Sequence, residues 1–407
     1  MELKKIHISD IGKIVTGKTP RTSVAENYDG YIPFLTPSDD LSHKSAPKTT
    51  KTLTEQGLNE VRNCLLPSRS ICVSCIGSDL GKVVMTKEPT VTNQQFNSII
   101  PNKNFNADFV YYFMTLVGRE LNYLSKTSTA VPIINKSSFS NYEIEVPDLE
   151  TQNRIASILS SIDSKIELNR RINDNLEQQA QALFKSWFVD FEPFKDGEFV
   201  NSEFGMIPKG WRTGVFSDII EILSGFAFKS NTFEFEGKYK LVTIKAVQDG
   251  YLELNGADGI NDVPVKVPRH CFLKKKDILL SLTGNVGRCC LVNSDNLLLN
   301  QRVAKIEPKK IADWAYTYIL FRLSDTKTYL ETISRGTAQA NLSPIETANM
   351  PTLIPTREVM DAFSVCATPL VNYSMVLTIE AEKLAQQRDT LLPKLMSGEL
   401  KINDLTR

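Results

Sequence analysis

Histidine is scarce in this sequence: 407 residues contain three, His7, His43 and His270, and none lies near a repeated Ser or Cys. An acid–base triad built on a histidine therefore has little to stand on. There is no Asn-Pro-Pro-aromatic run of the kind amino-methyltransferases use, and no Gly-rich loop behind a buried strand for a nucleotide-like cofactor. Long hydrophobic runs are missing too. Ile278-Leu279-Leu280-Ser281-Leu282 is typical, far short of the roughly 20 residues a membrane helix needs. The start, Met1 to His7, lacks the apolar stretch and small-residue cleavage site of a secretion signal, so a cytoplasmic protein is expected. The cysteines number seven, an odd count without scaffold spacing, which suits a reducing compartment. Cys72 and Cys75 form a C-x-x-C, but a zinc site wants four ligands and no matching pair or nearby His completes one. Cys289-Cys290 reads the same way, and no metal site is expected.

Net charge is absent as well, with 47 basic and 47 acidic residues. Their distribution is uneven. Basic against acidic counts are 16 to 14 over residues 1–147 and 19 to 16 over 201–355, but 6 to 10 over 148–200 and 6 to 7 over 356–407. Two mildly basic blocks are thus joined and followed by acidic segments, which permits phosphate contacts from local patches.

What is present is an internal repeat. A shift of 207 or 208 residues aligns Ile8-Ser9-Asp10-Ile11 with Phe216-Ser217-Asp218-Ile219, Gly17 with Gly225, Cys64 with Cys271 and Ile71 with Ile278. It also aligns Gly77 with Gly284, Asn93-Gln94 with Asn300-Gln301, Pro101 with Pro308 and Pro147 with Pro355. Cys72 and Cys75 fall on Leu279 and Leu282, which marks them as core positions of a strand. Each copy opens with short β-rich runs such as Ser70 to Ser74 and Asp277 to Ser281, punctuated by Gly, Pro and Asn and interrupted by helical stretches at 108–116 and 313–323. The expectation is an α+β fold: two repeated globular domains, 1–147 and 201–355, separated by two long antiparallel coiled-coil helices in the segments 148–200 and 356–407.

The helices follow from periodicity. Leu149 to Phe188 contains no Pro or Gly, and Ile155, Leu159, Ile162, Ile166, Asn169, Asn173, Leu176, Ala180, Leu183 and Trp187 recur four and three apart, as in a coiled-coil seam. The second copy supplies Phe363, Ala367, Leu370, Ser374, Leu377, Ala381, Leu384, Arg388, Leu391 and Leu395, with Pro369 expected to kink that helix or mark a late start. A common period within one chain suggests that the helices pair with each other, antiparallel because a globular domain lies between them. About 40 residues make a rod of about 60 Å, which spans on the order of 15 to 18 base pairs.

Gly12 to Thr19 matches the phosphate-binding pattern G-x-x-x-x-G-K-[ST]. Its surroundings do not, because that loop follows a buried strand and opens a helix. Lys4 to Asp10 alternate polar and apolar, Pro20 follows, and the second copy has Ile220 and Phe226 where the first has Gly12 and Lys18. The chain reads as a binder.

Two segments carry a family resemblance. Gln181-Ala182-Leu183-Phe184-Lys185-Ser186-Trp187-Phe188-Val189-Asp190-Phe191-Glu192-Pro193-Phe194 resembles the central shared region of type I restriction-modification specificity subunits. Arg388-Asp389-Thr390-Leu391-Leu392-Pro393-Lys394-Leu395-Met396-Ser397-Gly398-Glu399-Leu400 resembles their C-terminal one. The resemblance implies that each block is a target-recognition domain reading one half of an asymmetric, split double-stranded DNA site. The helices would set the spacer and dock a pair of methylation subunits, and restriction subunits. It further implies that this chain binds no cofactor itself, S-adenosylmethionine, ATP and Mg residing on the partner subunits. The alternative is a stand-alone bipartite DNA-binding regulator or scaffold.

Base contacts are expected from polar and basic groups in repeat-matched loops, Arg favouring guanine and Asn or Gln adenine, with Lys mostly on phosphates. In the first copy these are Lys18, Arg21, Thr36, Ser38, Asp39, Asn93, Gln94, Gln95, Lys126 and Ser128. In the second they are Lys229, Lys245, Gln248, Asn285, Arg288, Gln301, Arg302, Arg335 and Gln339. For subunit docking, Trp187, Phe188, Phe191 and Phe194 are candidates together with Leu391, Leu392, Leu395 and Met396, since such a helix end either packs inside the chain or anchors a partner.

Overall fold

The computed structural model describes residues 2–45, 48–125, 133–334 and 340–400. The chain divides into two compact units, one made of residues 1–167 with 383–407 and the other of 168–382. Both long helices, Leu149–Phe188 and Arg357–Ser397, cross that division. Each unit therefore combines one globular block with a length of each helix.

The repeat extends to backbone register. In the first unit an antiparallel sheet runs in the order Gly12–Thr16, Phe96–Pro101, Ile71–Ser74, Val83–Met85; in the second it runs Ile220–Ser224, Val303–Pro308, Ile278–Ser281, Cys289–Leu291. Ile71 pairs with Ile99 and Ile278 with Ile306; Gly12 pairs with Pro101 and Ile220 with Pro308. A second, smaller sheet contains a parallel pair in each unit, Phe34 with Val91 and Leu241 with Leu298. A third ladder, His7 with Glu143 and Val215 with Pro351, ties the start of each block to its end.

The inner strands Ile71–Ser74 and Ile278–Ser281 are buried on both faces, and their alternate residues enter different cores. Ile71 and Val73 join a cluster with the helix Ala107–Ser125, while Cys72 faces a second cluster with Phe34 and Phe96. In the other unit Ile278 and Leu280 join one cluster and Leu279 the other. Cys72, Cys289 and Cys290 are fully buried, and burial pushes the Cys72 and Cys289 thiols up to about 12 and that of Cys75 to about 11. They pack as small apolar groups and are not poised as thiolates. Among the described residues no group of His, Cys, Asp or Glu is placed to hold a metal ion.

The long helices run antiparallel within each unit. In the second unit Asn169 Nδ2 donates to Glu380 Oε2 at 2.8 Å, Asn173 Nδ2 donates to Thr378 Oγ1 at 3.0 Å, and Phe188 stacks edge-on against Phe363. In the first unit Arg388 Nη1 donates to Asp163 Oδ1 at 2.8 Å, and Leu392, Leu395 and Met396 share a core with Ile155 and Leu159. The polar positions of both seams thus meet polar partners. The second helix starts at Arg357 and runs straight on through Pro369, so a late start at that proline is corrected. The carbonyl that the missing N–H would have bonded belongs to Val365, a residue 75% exposed. An 18-residue stretch of this helix is apolar enough, by length and composition, to cross a membrane; its line of Phe363, Ala367 and Val371 is buried in the core of the second unit.

The phosphate-loop look-alike is a strand. Gly12 to Thr16 pair with Pro101 to Asn97, and the Gly17 and Lys18 amides donate to Phe96 O and Thr92 O, so no cradle of free amides exists there. Its glycines serve close approach instead. A Cβ on Gly17 would lie 2.2 Å from Asn93 O, and on Gly225 2.1 Å from Asn300 O. Gly17→Ala and Gly225→Ala should each cost about 1–3 kcal/mol through forced backbone displacement, read as a lower denaturant midpoint; unchanged midpoints would contradict the close packing.

Candidate nucleic-acid interface

The sheets leave their connecting turns as the carriers of polar side chains, and the structure sorts the expected residues into three groups. Some build the turns themselves. Asp39, 7% exposed, accepts from Thr36 N at 2.8 Å, Thr36 Oγ1 at 3.1 Å, Thr50 N at 2.8 Å and Thr50 Oγ1 at 2.7 Å, while Ser38 Oγ meets Thr36 Oγ1 at 2.6 Å. Burial opposes ionisation of Asp39, but these hydrogen bonds outweigh it and hold the carboxyl below its ordinary value. With its lone pairs filled, Asp39 clamps a loop and is withdrawn as a base contact, as is the buried Thr36. Asn93 is buried, exchanging hydrogen bonds with Gln95 through Oδ1 and Nδ2, and its amide donates to Leu35 O. Asn300 makes the equivalent bond to Val242 O. Asn93 and Gln95 are thus turn-builders, and the bond that Asn93 shares with its counterpart in the second copy is a backbone one.

A second group is exposed. Lys18 and Gln94 are solvent-facing, and Gln94 Oε1 accepts from Thr19 Oγ1 at 2.7 Å, which brings the two turns together. Arg21 is exposed but locked: Nε and Nη2 donate to Glu60 Oε1 at 2.9 and 2.6 Å, and the Arg21 amide donates to Glu60 Oε2 at 2.9 Å. Those bonds hold the Glu60 carboxyl down at about 2. Lys229 is exposed, and Gln301 and Arg302 are exposed side by side on one turn. Lys126, Ser128, Arg335 and Gln339 lie outside the described residues.

The third group is a cluster. Gln248 joins Asn285 and Arg288 of a distant turn on the second unit: Arg288 Nη1 donates to Gln248 Oε1 at 2.5 Å, and Gln248 Nε2 donates to Lys245 O at 2.8 Å. Next to it is a charged node that sequence reasoning missed. Arg322 bonds both Glu177 and Asp249, and Lys327 reaches Asp249 at 3.1 Å. Its members come from three elements, so no local pattern could have signalled it.

The proposed docking residues require a correction. Phe188 is 7% exposed and packs against Trp211, Tyr316 and Phe363, Trp187 packs against Phe194 and Phe363, and Phe191 and Phe194 pack against Trp211. Leu392, Leu395 and Met396 are buried in the first unit's core, with Leu391 against its edge. Phe188, Leu392, Leu395 and Met396 fill the protein's own cores, and Trp187, Phe191, Phe194 and Leu391 pack half-buried against them, because the helix ends bearing them lie against the sheets and helices of their units.

The match that decides kinship follows the repeat: the model of the type I restriction modification DNA specificity domain fits residues 1–178 and again residues 208–352. The chain belongs to the family of type I restriction-modification specificity subunits. The type I restriction enzyme MjaIX specificity subunit of Methanocaldococcus jannaschii is 31% identical, over 99% of this chain and 94% of that one. The HindI specificity subunit of Haemophilus influenzae is 24% identical, over 80% of this chain and 83% of its own. Among solved structures, the type I restriction-modification S subunit from M. genitalium aligns with a TM-score of 0.54 at 16% identity, covering 97% of this chain and 96% of that one; it shows a shared fold.

If the aromatic helix end is core, Phe188→Ala should cost about 3–5 kcal/mol, visible as a large drop in unfolding midpoint. A docking residue free of the core would leave that midpoint where it was.

Proposed function

We propose that this specificity subunit reads an asymmetric, bipartite duplex DNA site, one half per unit, with the length of the two long helices setting the unread spacer. The observation that carries this reading is the repeat itself: strand register is shared between the units, while several polar turn residues differ at matched positions. Lys18 on one unit stands against Phe226 on the other, and Lys82 against Arg288. Two scaffolds of one design bearing different polar groups suit two different half-sites on one duplex. The chain does no chemistry in this reading. It docks methylation subunits, which carry S-adenosylmethionine, and restriction subunits, which use ATP and Mg. With the aromatic helix end committed to the core, the second long helix offers another apolar face for a partner, where Val365, Tyr373 and Val376 are 75%, 51% and 55% exposed.

Co-expression with the methylation subunit of its system, followed by mapping of methylated adenines, should return one asymmetric split motif. Inserting seven residues into each long helix should then lengthen the spacer by about three base pairs, at about 1.5 Å per residue against about 3.4 Å per pair. A spacer that keeps its length would sink the ruler.

A further inference from the structure

Arg288 sits where the strands Ile278–Ser281 and Cys289–Leu291 are joined by a turn containing two glycines in left-handed conformations, Gly284 at φ 73° and Gly287 at φ 80°. Ser281, 1% exposed, ties the turn down: its Oγ donates to Asn285 O at 2.5 Å and accepts from Arg288 N at 3.0 Å. The side chain rising from this fixed base is itself held in place. Nη1 donates to Gln248 Oε1 at 2.5 Å, and the Asn285 amide, whose nitrogen would otherwise face only donors, is assigned with its oxygen toward the guanidinium, where it accepts from Nη1 at 3.3 Å and Nη2 at 2.6 Å. Gln248 is braced in turn by Lys245 O and Tyr251 O.

A guanidinium has five N–H donors in one plane. These contacts occupy the Nη1 side and the inner edge, leaving Nε–H and the outer Nη2–H, which point the same way. Both holders are neutral amides. The nearby carboxylates Asp249 and Glu177 are engaged by Arg322, and Asp249 by Lys327 as well, so the Arg288 charge is left uncompensated by them. The first copy has the same turn, with Gly77 and Gly81 at φ 84° and 89°, but there the basic residue is Lys82, paired with Asp79 of its own turn at 2.6 Å. One copy neutralises the cation on this turn, and the other orients it.

We propose that Arg288, oriented by Gln248 and Asn285, reads a guanine in one half-site, offering its free Nε/Nη2 edge to the O6 and N7 acceptors. This rests on the DNA-reading function proposed above. Arg288 touches the base; Gln248 and Asn285 are positioning residues. A plane fixed by two amides matches a base edge fixed in the major groove, whereas a phosphate contact needs charge more than orientation.

The test is selection from a random duplex library with the full-length chain and its R288K, R288A and Q248A/N285A variants, alongside thermal unfolding of each. Wild type should select a split site with a required G·C pair. R288K keeps the charge and the aliphatic stem, and serves also if R288A fails to fold. It should retain the rest of the motif and the salt dependence but lose preference at that pair by roughly tenfold or more. Q248A/N285A should weaken preference at the same pair only. R288K selecting the wild-type motif unchanged, or R288A weakening all sequences equally, would show a phosphate contact or a solvated side chain and overturn the assignment alone. Wild type selecting no sequence would overturn the DNA-reading function itself.

Discussion

The pairing of the two long helices closes one hydrophobic core in each unit. In the first unit Leu392, Leu395 and Met396, close to the far end of the chain, complete a cluster that begins with Ile8 and Ile11. In the second, Phe184 and Phe188 from one helix meet Phe363, Ala367 and Val371 from the other around Trp314 and Tyr316. Neither globular block is finished by its own sequence. Contacts of such long sequence separation must wait for late segments of the chain, which favours slow, cooperative closure over independent folding of each block.

The seam that does this is not purely apolar. Asn169 is fully buried, with its amide on Glu380, Asn173 meets Thr378, and Asp163 meets Arg388. Buried polar pairs contribute little net stability, since desolvation offsets most of their attraction. Their effect is on register, because sliding either helix by a turn would strand an amide or a charge among apolar side chains. The spacer-setting role proposed above would need that register fixed at several points.

The repeat separates what the scaffold needs from what recognition needs. Gly17 and Gly225 allow the same close approach to a neighbouring carbonyl, and Asn93 and Asn300 give the same amide to the end of a parallel strand. Such matched positions are structural. Positions that stand on the same turn but differ, such as Lys82 beside Asp79 and Arg288 between two amides, are where the two units present different charge and hydrogen-bonding groups.

Periodicity and self-similarity are local or additive signals, and they were legible directly. The shift of about 207 residues, the helix from Leu149 to Phe188 and the core character of Cys72 all stand in the structure as strands, helix and buried thiol. The phosphate-loop pattern could also be discounted from its neighbours. Partner choice was not legible. A run such as Trp187-Phe188-Val189-Asp190-Phe191 states that large apolar groups must leave water, but not against what; Trp211, Tyr316 and Phe363 supply the answer from other elements. Likewise Asp39 and Arg288 are both polar loop residues in the sequence. Only tertiary structure closed four hydrogen bonds around the first and left one edge of the second open, because hydrogen-bond capacity is filled by neighbours in space and sequence spacing does not record them.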